Sequence, residues 1–361
     1  MTTMTEPDRR VTGGVDTHKH THTAAALDGL GRELGVAEFA TTAAGYRDLV
    51  RWLRSFGEID AVGVEGTGSW GAGLARHLAG ETIRVVEVQR PNRQDRRRYG
   101  KSDPTDAISA ARPVLAGRET SEPKTADGPI ESIRMLRVAR RSARKARSQA
   151  MNQLHAIIDT APEQLRHQLR GLDPEVLIRR AARFRVPTID SPTAAAKATL
   201  RSLARRCGHL AEELAELDTA LTALIKDAAP SLLELNGVGV NCAGALLVAA
   251  GDNPDRFTSE GSYAAVCGTS PTDASSGLQR RHRLNRGGDR QANAALYIIV
   301  ISRLRWDKRT QDYMARRISE GKTPKEAIRC LKRYVTREIY TTINRELHHH
   351  KHQPPALKTA A

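Results

Sequence analysis

The sequence has few aromatic residues, few cysteines and no long apolar stretch, and each shortage excludes a class of protein. Aromatic side chains make up 4% of the 361 residues, which disfavours binding of single-stranded nucleic acid by repeated base stacking. The four cysteines, Cys207, Cys242, Cys267 and Cys330, lack CxxC pairing, which argues against a zinc knuckle and a disulfide framework. We therefore expect reduced, mostly buried thiols.

Apolar runs are too short for a membrane span, which requires ~18 consecutive apolar residues. The longest run covers residues 243–250, and residues 1–10 contain acids, arginine and threonine without the apolar core of a secretory leader. We therefore expect a cytoplasmic protein that does not act at a membrane.

Positive charge is the main excess of the chain. Lys and Arg number 57 against 41 Asp and Glu, which gives a formal net charge of +16 and an isoelectric point near 10.1. The cations cluster in residues 90–101, 134–147, 278–290 and 303–317. One such cluster could be a solvated face, but four favour nucleic acid, because clustered cations neutralise adjacent phosphates and release condensed counterions. The candidate phosphate-binding side chains are Arg93, Arg96, Arg97, Arg98, Lys101, Arg137, Arg140, Arg141, Arg144, Arg280, Arg281, Arg283 and Arg286.

Residues 11–117 alternate strand and helix patterns, which predicts an α/β domain with a mixed sheet. We expect one strand over residues 11–28 that turns back at Asp28-Gly29, and a second over residues 33–40. The pair Asp103-Pro104 is typical of a helix start, with Asp103 as the N-cap and Pro104 as the first helical residue.

Residues 129–229 have a helical composition and end in a heptad pattern. The seam consists of Leu203, Cys207, Leu210, Leu214, Leu217, Leu221 and Leu224, spaced alternately by four and three residues. This spacing is what knobs-into-holes packing requires, and we expect a coiled coil between copies of the chain. A core-facing helix within one chain uses nearly the same pattern and is the alternative.

Residues 230–344 form a third, mainly helical region. It opens with a helix, a turn containing Gly237 and Gly239, and a second helix, which is the layout of a helix-hairpin-helix that offers backbone amides to a phosphate. An ordinary αα-corner has the same pattern and stays open as an alternative. We expect residues 345–361 to be a disordered tail.

Four carboxylates stand out in the basic first domain. Asp16 lies in the first strand, Glu65 ends the apolar run 59–64, and Asp103 and Asp106 lie one helical turn apart and so project from one helix face. Carboxylate oxygens suit Mg²⁺, and phosphoryl-transfer sites use such ions to stabilise attacking and leaving oxygens. Taken singly, each acid is an ordinary surface charge or helix cap.

The histidines that follow Asp16 allow a weaker alternative. His18, His20 and His22 would share one strand face with Asp16 if the strand continued through them, which would suit a transition metal. The same alternation places any polar residue on that face, and no cysteine supports the site. We therefore favour the carboxylate site.

Six stretches in chain order carry a resemblance to a known family: Gly14-Val15-Asp16-Thr17-His18-Lys19, Val64-Glu65-Gly66-Thr67-Gly68, Lys101-Ser102-Asp103-Pro104-Thr105-Asp106-Ala107, and residues 235–250, 268–277 and 284–290. The chain resembles the insertion-sequence transposases of the IS110 family, relatives of the Piv-type DNA invertases, over most of residues 11–342. The resemblance implies an N-terminal RuvC-like domain with an RNase H fold, in which Asp16, Glu65, Asp103 and Asp106 form a DEDD quartet that binds Mg²⁺.

The resemblance also implies a C-terminal transposase domain with a functional serine in a Ser-Gly motif. Ser276, immediately before Gly277, matches this serine, and Ser275 is the neighbour that a shifted alignment would choose. The family implies a recombinase whose serine attacks DNA phosphodiesters, guided by a structured bridge RNA that pairs with donor and target DNA. Together with the heptad seam, this predicts a homo-oligomer, a dimer or a tetramer, acting at the nucleoid.

The chemistry of the motif leaves other functions open. A serine hydroxyl is a weak nucleophile without a base or metal, and only Asp273 and His282 lie near Ser276 in sequence as a possible pair. Ser275-Ser276-Gly277 alone is typical of a surface turn. A site-specific invertase or a RuvC-like nuclease using metal-activated water is the alternative, and a non-catalytic nucleic-acid-binding protein is a third hypothesis.

Overall fold

The computed structural model of the chain describes residues 10–88, 102–118, 121–275 and 282–352. They belong to two compact units. The first unit comprises Met1–Ala126 with Gly251–Thr258, and the second comprises Asp127–Ala250 with Ser259–Ala361.

A mixed five-stranded sheet forms the centre of the first unit. Its strands are β1 (Arg10–Thr17), β2 (Thr21–Asp28), β3 (Glu33–Ala40), β4 (Glu58–Glu65) and β5 (Val85–Val88). Their spatial order is β3-β2-β1-β4-β5. β2 is antiparallel to β1 and β3, whereas β4 is parallel to β1 and β5. The predicted mixed α/β sheet is confirmed.

The prediction of a single strand over residues 11–28 is wrong, because the chain reverses at residues 18–20. The His18 amide donates to the Thr21 carbonyl at 3.0 Å, and β1 and β2 pair as an antiparallel hairpin that reaches Thr17 and His22. The predicted turn after β2 is present, since the Gly31 amide donates to the Asp28 carbonyl at 2.9 Å.

Helices pack on both faces of the sheet: α1 (Ala43–Arg54), α2 (Ala72–Gly80) and α3 (Asp103–Leu115). Leu53 of α1 and Leu74 of α2 are fully buried against one face, in the same core cluster as Val62. Ala110 of α3 packs on the other face, in a cluster with the adjacent Ala61. Alternation along β4 sends Ala61 and Val62 to opposite faces. Burial of each leucine contributes about 1.5–3 kcal/mol, so packing on both faces holds this unit together.

The second unit is mainly helical. Its helices are α4 (Pro129–Thr160), α5 (Glu163–Leu169), α6 (Pro174–Ala182), α7 (Pro192–Ala228), α8 (Ser231–Glu234), α9 (Val240–Ala250), α10 (Glu260–Val266), α11 (Arg290–Trp306), α12 (Lys308–Ser319) and α13 (Pro324–His352). A short ribbon pairs β6 (Thr272–Asp273) with β7 (His282–Arg283). The predicted regions 129–229 and 230–344 both fall in this unit, and their separation into domains stays a prediction.

The helices α4 and α7 pack against each other within the chain. Leu154 and Ile158 of α4 share a buried cluster with Leu200 and Ala204 of α7. Two members of the predicted heptad seam, Cys207 and Leu221, are buried as well, and the other five are half-buried. The seam is therefore partly used inside one chain, and a coiled coil between copies stays a prediction.

The end of the chain continues in a helix where a tail is expected. α13 runs to His352 and has Leu331, Val335, Ile339 and Ile343 buried along one stripe. Residues 353–361 lie outside the described part of the chain. In the described part, no helix has the length and hydropathy needed to cross a membrane.

Candidate active site and nucleic-acid interface

Two of the predicted site carboxylates lie at the same edge of the sheet. Asp16 follows Val15 near the end of β1, and Glu65 follows Val64 at the end of β4. Because the parallel register pairs Val15 with Val64, the next residues on both strands lie side by side. The Thr17 hydroxyl donates to the Glu65 carbonyl at 2.8 Å and ties the two strand ends together. The carboxyl ends of parallel strands are where open α/β sheets bind ligands.

The start of α3 supplies the other two carboxylates. The prediction that Asp103 caps this helix is wrong, because Ser102 is the N-cap and accepts from the Thr105 amide at 3.4 Å. Asp103 is the first helical residue, and Asp106 lies one turn later and is buried. Both acids are in the first turn, where negative charge interacts favourably with the helix dipole.

Two glycines let α3 lie directly on the backbone of the sheet. A β-carbon at Gly14 would lie 2.3 Å from the Ala107 carbonyl oxygen, and one at Gly63 would lie 2.5 Å from the Ala110 carbonyl oxygen. Any larger residue at either position would force α3 away from the sheet. This close approach is what brings the first turn of α3 to the end of β1.

Like charges surround Asp16. Its side chain is buried, and burial raises its pKa above the ordinary value; the charge of His18 opposes this, and those of Glu65, Asp106 and Asp103 raise it further. All four predicted carboxylates therefore interact electrostatically within one site. A bound cation relieves such repulsion, so the residues present fit a divalent metal.

His18 joins this site, although the sequence analysis favoured the carboxylates alone. Its Nδ1 lies 3.8 Å from the Asp16 carboxylate, and Asp16, His18 and Asp103 each offer a ligand atom within 4.8 Å of the others. His18 also stacks on Trp70, with ring centroids 6.3 Å apart. In the sequence, His18 could have been recognised as a site residue because it follows Asp16 by two residues at the end of a strand.

The three histidines do not share a strand face, so that alternative is wrong in its geometry. His18 and His20 lie in the turn between β1 and β2, where the chain reverses. His22 is fully buried in β2 and stacks on Tyr46, with ring centroids 5.7 Å apart. Burial lowers the pKa of His22 below its usual value.

The predicted serine motif falls in sequence between β6 and β7. Ser276 falls outside the described residues, whereas its neighbour Ser275 is described. The Ser275 amide and hydroxyl both donate to the Asp273 carboxylate, and these bonds hold the pKa of Asp273 below its usual value. Asp273 pairs with His282 across the ribbon, so the two polar residues that flank the motif in sequence are neighbours in the fold.

The predicted phosphate-binding arginines of α4 divide into two groups. Arg137 and Arg140 are engaged by the protein: Arg137 donates to the Asn241 carbonyl and side chain, and Arg140 pairs with Asp218. Burial lowers the pKa of Arg137. Arg141 and Arg144 are exposed.

Two further predicted residues are exposed on the ribbon and the loop that follows it, Arg283 and Arg286. The remaining predicted cations lie outside the described residues: Arg93, Arg96, Arg97, Arg98, Lys101, Arg280 and Arg281. Their roles as nucleic-acid contacts stay predictions.

The predicted Gly-x-Gly turn lies between the short α8 and α9. Gly237 has a φ of +74°, which favours glycine, and a β-carbon there would lie 3.3 Å from the Ile299 carbonyl oxygen. A β-carbon at Gly239 would meet no atom of the described residues within 4 Å. The side of the turn at Gly239 is therefore open to a ligand, while the side at Gly237 packs on α11, as in an αα-corner.

Comparison with known proteins gives two family matches in chain order. The model of the IS110 DEDD domain, described as a transposase, matches residues 13–161, and the model of the IS116/IS110/IS902 transposase family matches residues 229–315. An uncharacterised protein of insertion element IS110 from Streptomyces coelicolor is 28% identical over 163 residues. That alignment covers 44% of this chain and 40% of the relative's length.

Proposed function

Because the chain belongs to the IS110 family of insertion-element transposases, we propose that it is a recombinase that cuts and rejoins donor and target DNA at the nucleoid. The observation that carries this proposal is the convergence of four carboxylates and His18 at one edge of a mixed sheet. An acidic site of this kind in a chain of net charge +16 is suited to chemistry on a bound polyanion.

The first unit has an RNase H-like fold of the RuvC type in this proposal. The support is the sheet order β3-β2-β1-β4-β5, in which an antiparallel β1–β3 meander is joined to the parallel strands β4 and β5. Placement of the acids at the carboxyl ends of β1 and β4 and on α3 is consistent with this fold. The IS110 DEDD family model matches residues 13–161, which include these strands and α3.

Asp16, Glu65, Asp103 and Asp106, with His18 as a further candidate ligand, would hold divalent metal, and we propose Mg²⁺ because the set is dominated by oxygen donors. A cation bound there would stabilise negative charge on the attacking and leaving phosphate oxygens. Asp16 and Asp106 are buried, so water screens their charges less than it screens the charge of the exposed Asp103.

Ser276 is the proposed nucleophile. Its Oγ forms a bond to the DNA phosphorus while the bond from phosphorus to the leaving sugar oxygen breaks; the serine proton passes to a base and the sugar oxygen gains a proton. A sugar hydroxyl of the partner strand then attacks the phosphoserine ester and restores the serine. Ser275 is the alternative position, since its hydroxyl already donates to the Asp273 carboxylate.

The sequence of the target is read by a bridge RNA in this proposal, and the chain works as a homo-oligomer. The exposed Arg141 and Arg144 of α4 are candidate contacts to nucleic-acid phosphates. Four half-buried residues of the heptad seam on α7 are the candidate surface for a dimer or tetramer: Leu210, Leu214, Leu217 and Leu224. Leu203 packs on the buried cluster of its own chain.

The test is to trap the covalent intermediate on DNA that carries the element's ends. Wild-type protein, with its co-purifying RNA and Mg²⁺, is expected to give a protein–DNA adduct that Ser276→Ala lacks and Ser275→Ala retains. Asp16→Asn is expected to abolish cleavage while RNA still co-purifies. An adduct retained by Ser276→Ala would move the nucleophile to another residue.

A RuvC-like nuclease is the second candidate function, and one observation favours it. Asp16, His18 and Asp103 lie within ligand distance of one another inside the first unit, so a metal held there would activate water for hydrolysis. Cleavage by Ser276→Ala at the wild-type rate, with no adduct in the wild type, would establish hydrolysis and refute the recombinase.

A further inference from the structure

A cavity of about 460 Å³ lies in the second unit, beside the ribbon that leads to the serine motif. Residues 268–271 and 282–285, which precede and follow that motif, form one wall. α12 and α13 form the other walls. The volume falls in the range of ~300–1,000 Å³ usual for ligand pockets, which suits a small group such as one nucleotide.

The cavity carries a large excess of positive charge. Eight lysine and arginine side chains line it. Within the described residues, five of the arginines share three carboxylates, those of Glu260, Glu320 and Glu326. Uncompensated cations around a concave site focus a positive potential into it and raise the local concentration of anions.

The larger neighbouring cavity shows that this excess is not a general property of the unit. That cavity, of about 1160 Å³, is lined by Asp307, Asp312 and Glu338 as well as by cations. Its Arg303 and Lys308 pair with Glu338 and Asp312, each at 2.7 Å. Of these two cavities, the one beside the ribbon has the larger positive charge for an external anion to balance.

Lys332 gives the strongest indication that the cavity binds an anion. Its side chain is 6% exposed and lines the cavity, and within the described residues its ammonium group has one hydrogen bond, to the neutral Asn293 side chain. An ammonium group has three donors, and a buried charge is costly unless it is paired. Burial accordingly lowers the pKa of Lys332. An anion in the cavity would pair this charge.

Lys332 also supports the base of the ribbon loop. Its partner Asn293 donates from Nδ2 to the carbonyls of Cys267 at 2.9 Å and Gly268 at 3.0 Å. The segments before and after the ribbon are in direct backbone contact there, since a β-carbon at Gly288 would lie 2.2 Å from the Gly268 nitrogen. Occupancy of the cavity is thereby linked to the segment that holds the serine motif.

Arg317 offers a second donor to an anion at the cavity wall. The Nε atom of Arg317 is buried and has no hydrogen-bond partner among the described residues. Its guanidinium lies 6.0 Å from the ring centroid of Tyr313, and Tyr313 packs edge-on against Tyr334. Burial is the main cause that raises the pKa of Tyr313 to about 12, so its hydroxyl stays a neutral donor.

We propose that this cavity binds a backbone phosphate of the DNA strand on which the serine motif acts, through Lys332, Arg317 and Lys322. The chemistry recognised is a phosphate diester on an unpaired nucleotide. The choice of DNA rests on the proposed function, because the cavity wall is the ribbon that bears the serine. Binding of RNA at this place is the competing outcome of the test.

The test measures binding of the full-length protein to a fluorescein-labelled single-stranded DNA of mixed sequence, and to an RNA of the same sequence, at several salt concentrations. Lys322→Gln and Lys332→Met are each expected to weaken DNA binding about tenfold, since a bond to a charged group is lost. Each should also lower the salt slope by about 0.7, the value of one single-strand phosphate contact. Lys325→Gln, an exposed cation of α13 outside the cavity, is the matched control and should change affinity less than twofold.

Unchanged DNA affinity in Lys322→Gln overturns the proposal, and so does a loss that is as large for RNA as for DNA. Lys322 is half-buried after α12, so its variant decides the matter if Lys332→Met does not fold. Weaker DNA binding by these variants in a protein that cleaves no DNA would refute the proposed function and leave the cavity assignment standing. If both variants bind and cleave DNA like the wild type, only the assignment of the cavity as a phosphate site is refuted.

Discussion

The backbone of Gly14 lies so close to that of Ala107 that a β-carbon on Gly14 would be 2.3 Å from the Ala107 carbonyl oxygen. Gly14 belongs to the strand that carries Asp16, and Ala107 belongs to the helix that begins with Asp103. The distance between these two backbones therefore sets the distance between the acids. Packing in this unit and the geometry of the proposed metal site depend on the same contact.

Gly14→Ala is expected to weaken both stability and metal binding. The added methyl group overpacks the contact with α3, which costs about 1–3 kcal/mol of unfolding free energy and moves Asp103 away from Asp16. Gly29→Ala is the control, since a β-carbon at Gly29 would meet no atom within 4 Å in the part of the chain that the structure describes. Urea unfolding and Mg²⁺ titration by calorimetry would measure the two effects. Wild-type Mg²⁺ affinity in Gly14→Ala would show that α3 does not position the site.

Removal of metal is expected to expose the repulsion around Asp16. In the presence of a chelator, the unfolding temperature of Asp16→Asn should equal or exceed that of the wild type. The reason is that the substitution removes a buried charge beside three other carboxylates. With Mg²⁺ added, the wild type should gain thermal stability and the variant should not. Asp60→Asn, at an exposed position of β4, should respond to Mg²⁺ like the wild type. An equal Mg²⁺ response in Asp16→Asn would exclude Asp16 from the metal site.

Local signals predicted the helix of the site well, and long-range contacts could not be predicted. Ser102, Asp103 and Pro104 mark the start of α3 within one residue, because helix capping depends on adjacent residues. The approach of Gly14 to Ala107 joins residues far apart in sequence, and glycine alone does not reveal which backbone it faces.

The hairpin turn and the heptad seam show two further limits. The turn at His18 to His20 contains neither glycine nor proline, so its polar residues were indistinguishable from the exposed side of a strand. The spacing of Cys207 and Leu221 fits a seam between chains, but both are buried in their own chain, because intramolecular and intermolecular helix pairs use nearly the same spacing.

The burial of His22 predicts acid-sensitive folding. The folded pKa of His22 lies below its unfolded value of about 6.5, so the neutral ring is favoured by folding. Its contribution to stability is complete above pH 6.5 and declines as the pH falls below that value. His22→Phe keeps a ring against Tyr46 and should lose less unfolding free energy between pH 7.5 and pH 5.5 than the wild type.

The control for this measurement is His20→Gln, because His20 is exposed in the turn. It should lose as much stability on acidification as the wild type. An identical loss in His22→Phe and the wild type would show that other groups cause the acid sensitivity.

Arg137 and Arg144 lie on the same helix and are expected to respond in opposite ways to substitution. Arg137→Ala removes the donor that satisfies the Asn241 carbonyl and side chain, which costs about 1–3 kcal/mol of unfolding free energy. Arg144 is exposed, so Arg144→Ala should leave stability unchanged. If Arg144 contacts a phosphate, its loss lowers the salt slope of nucleic-acid binding by about one. Urea unfolding and salt-dependent binding of both variants separate the roles, and unchanged stability in Arg137→Ala would return Arg137 to the candidate nucleic-acid contacts.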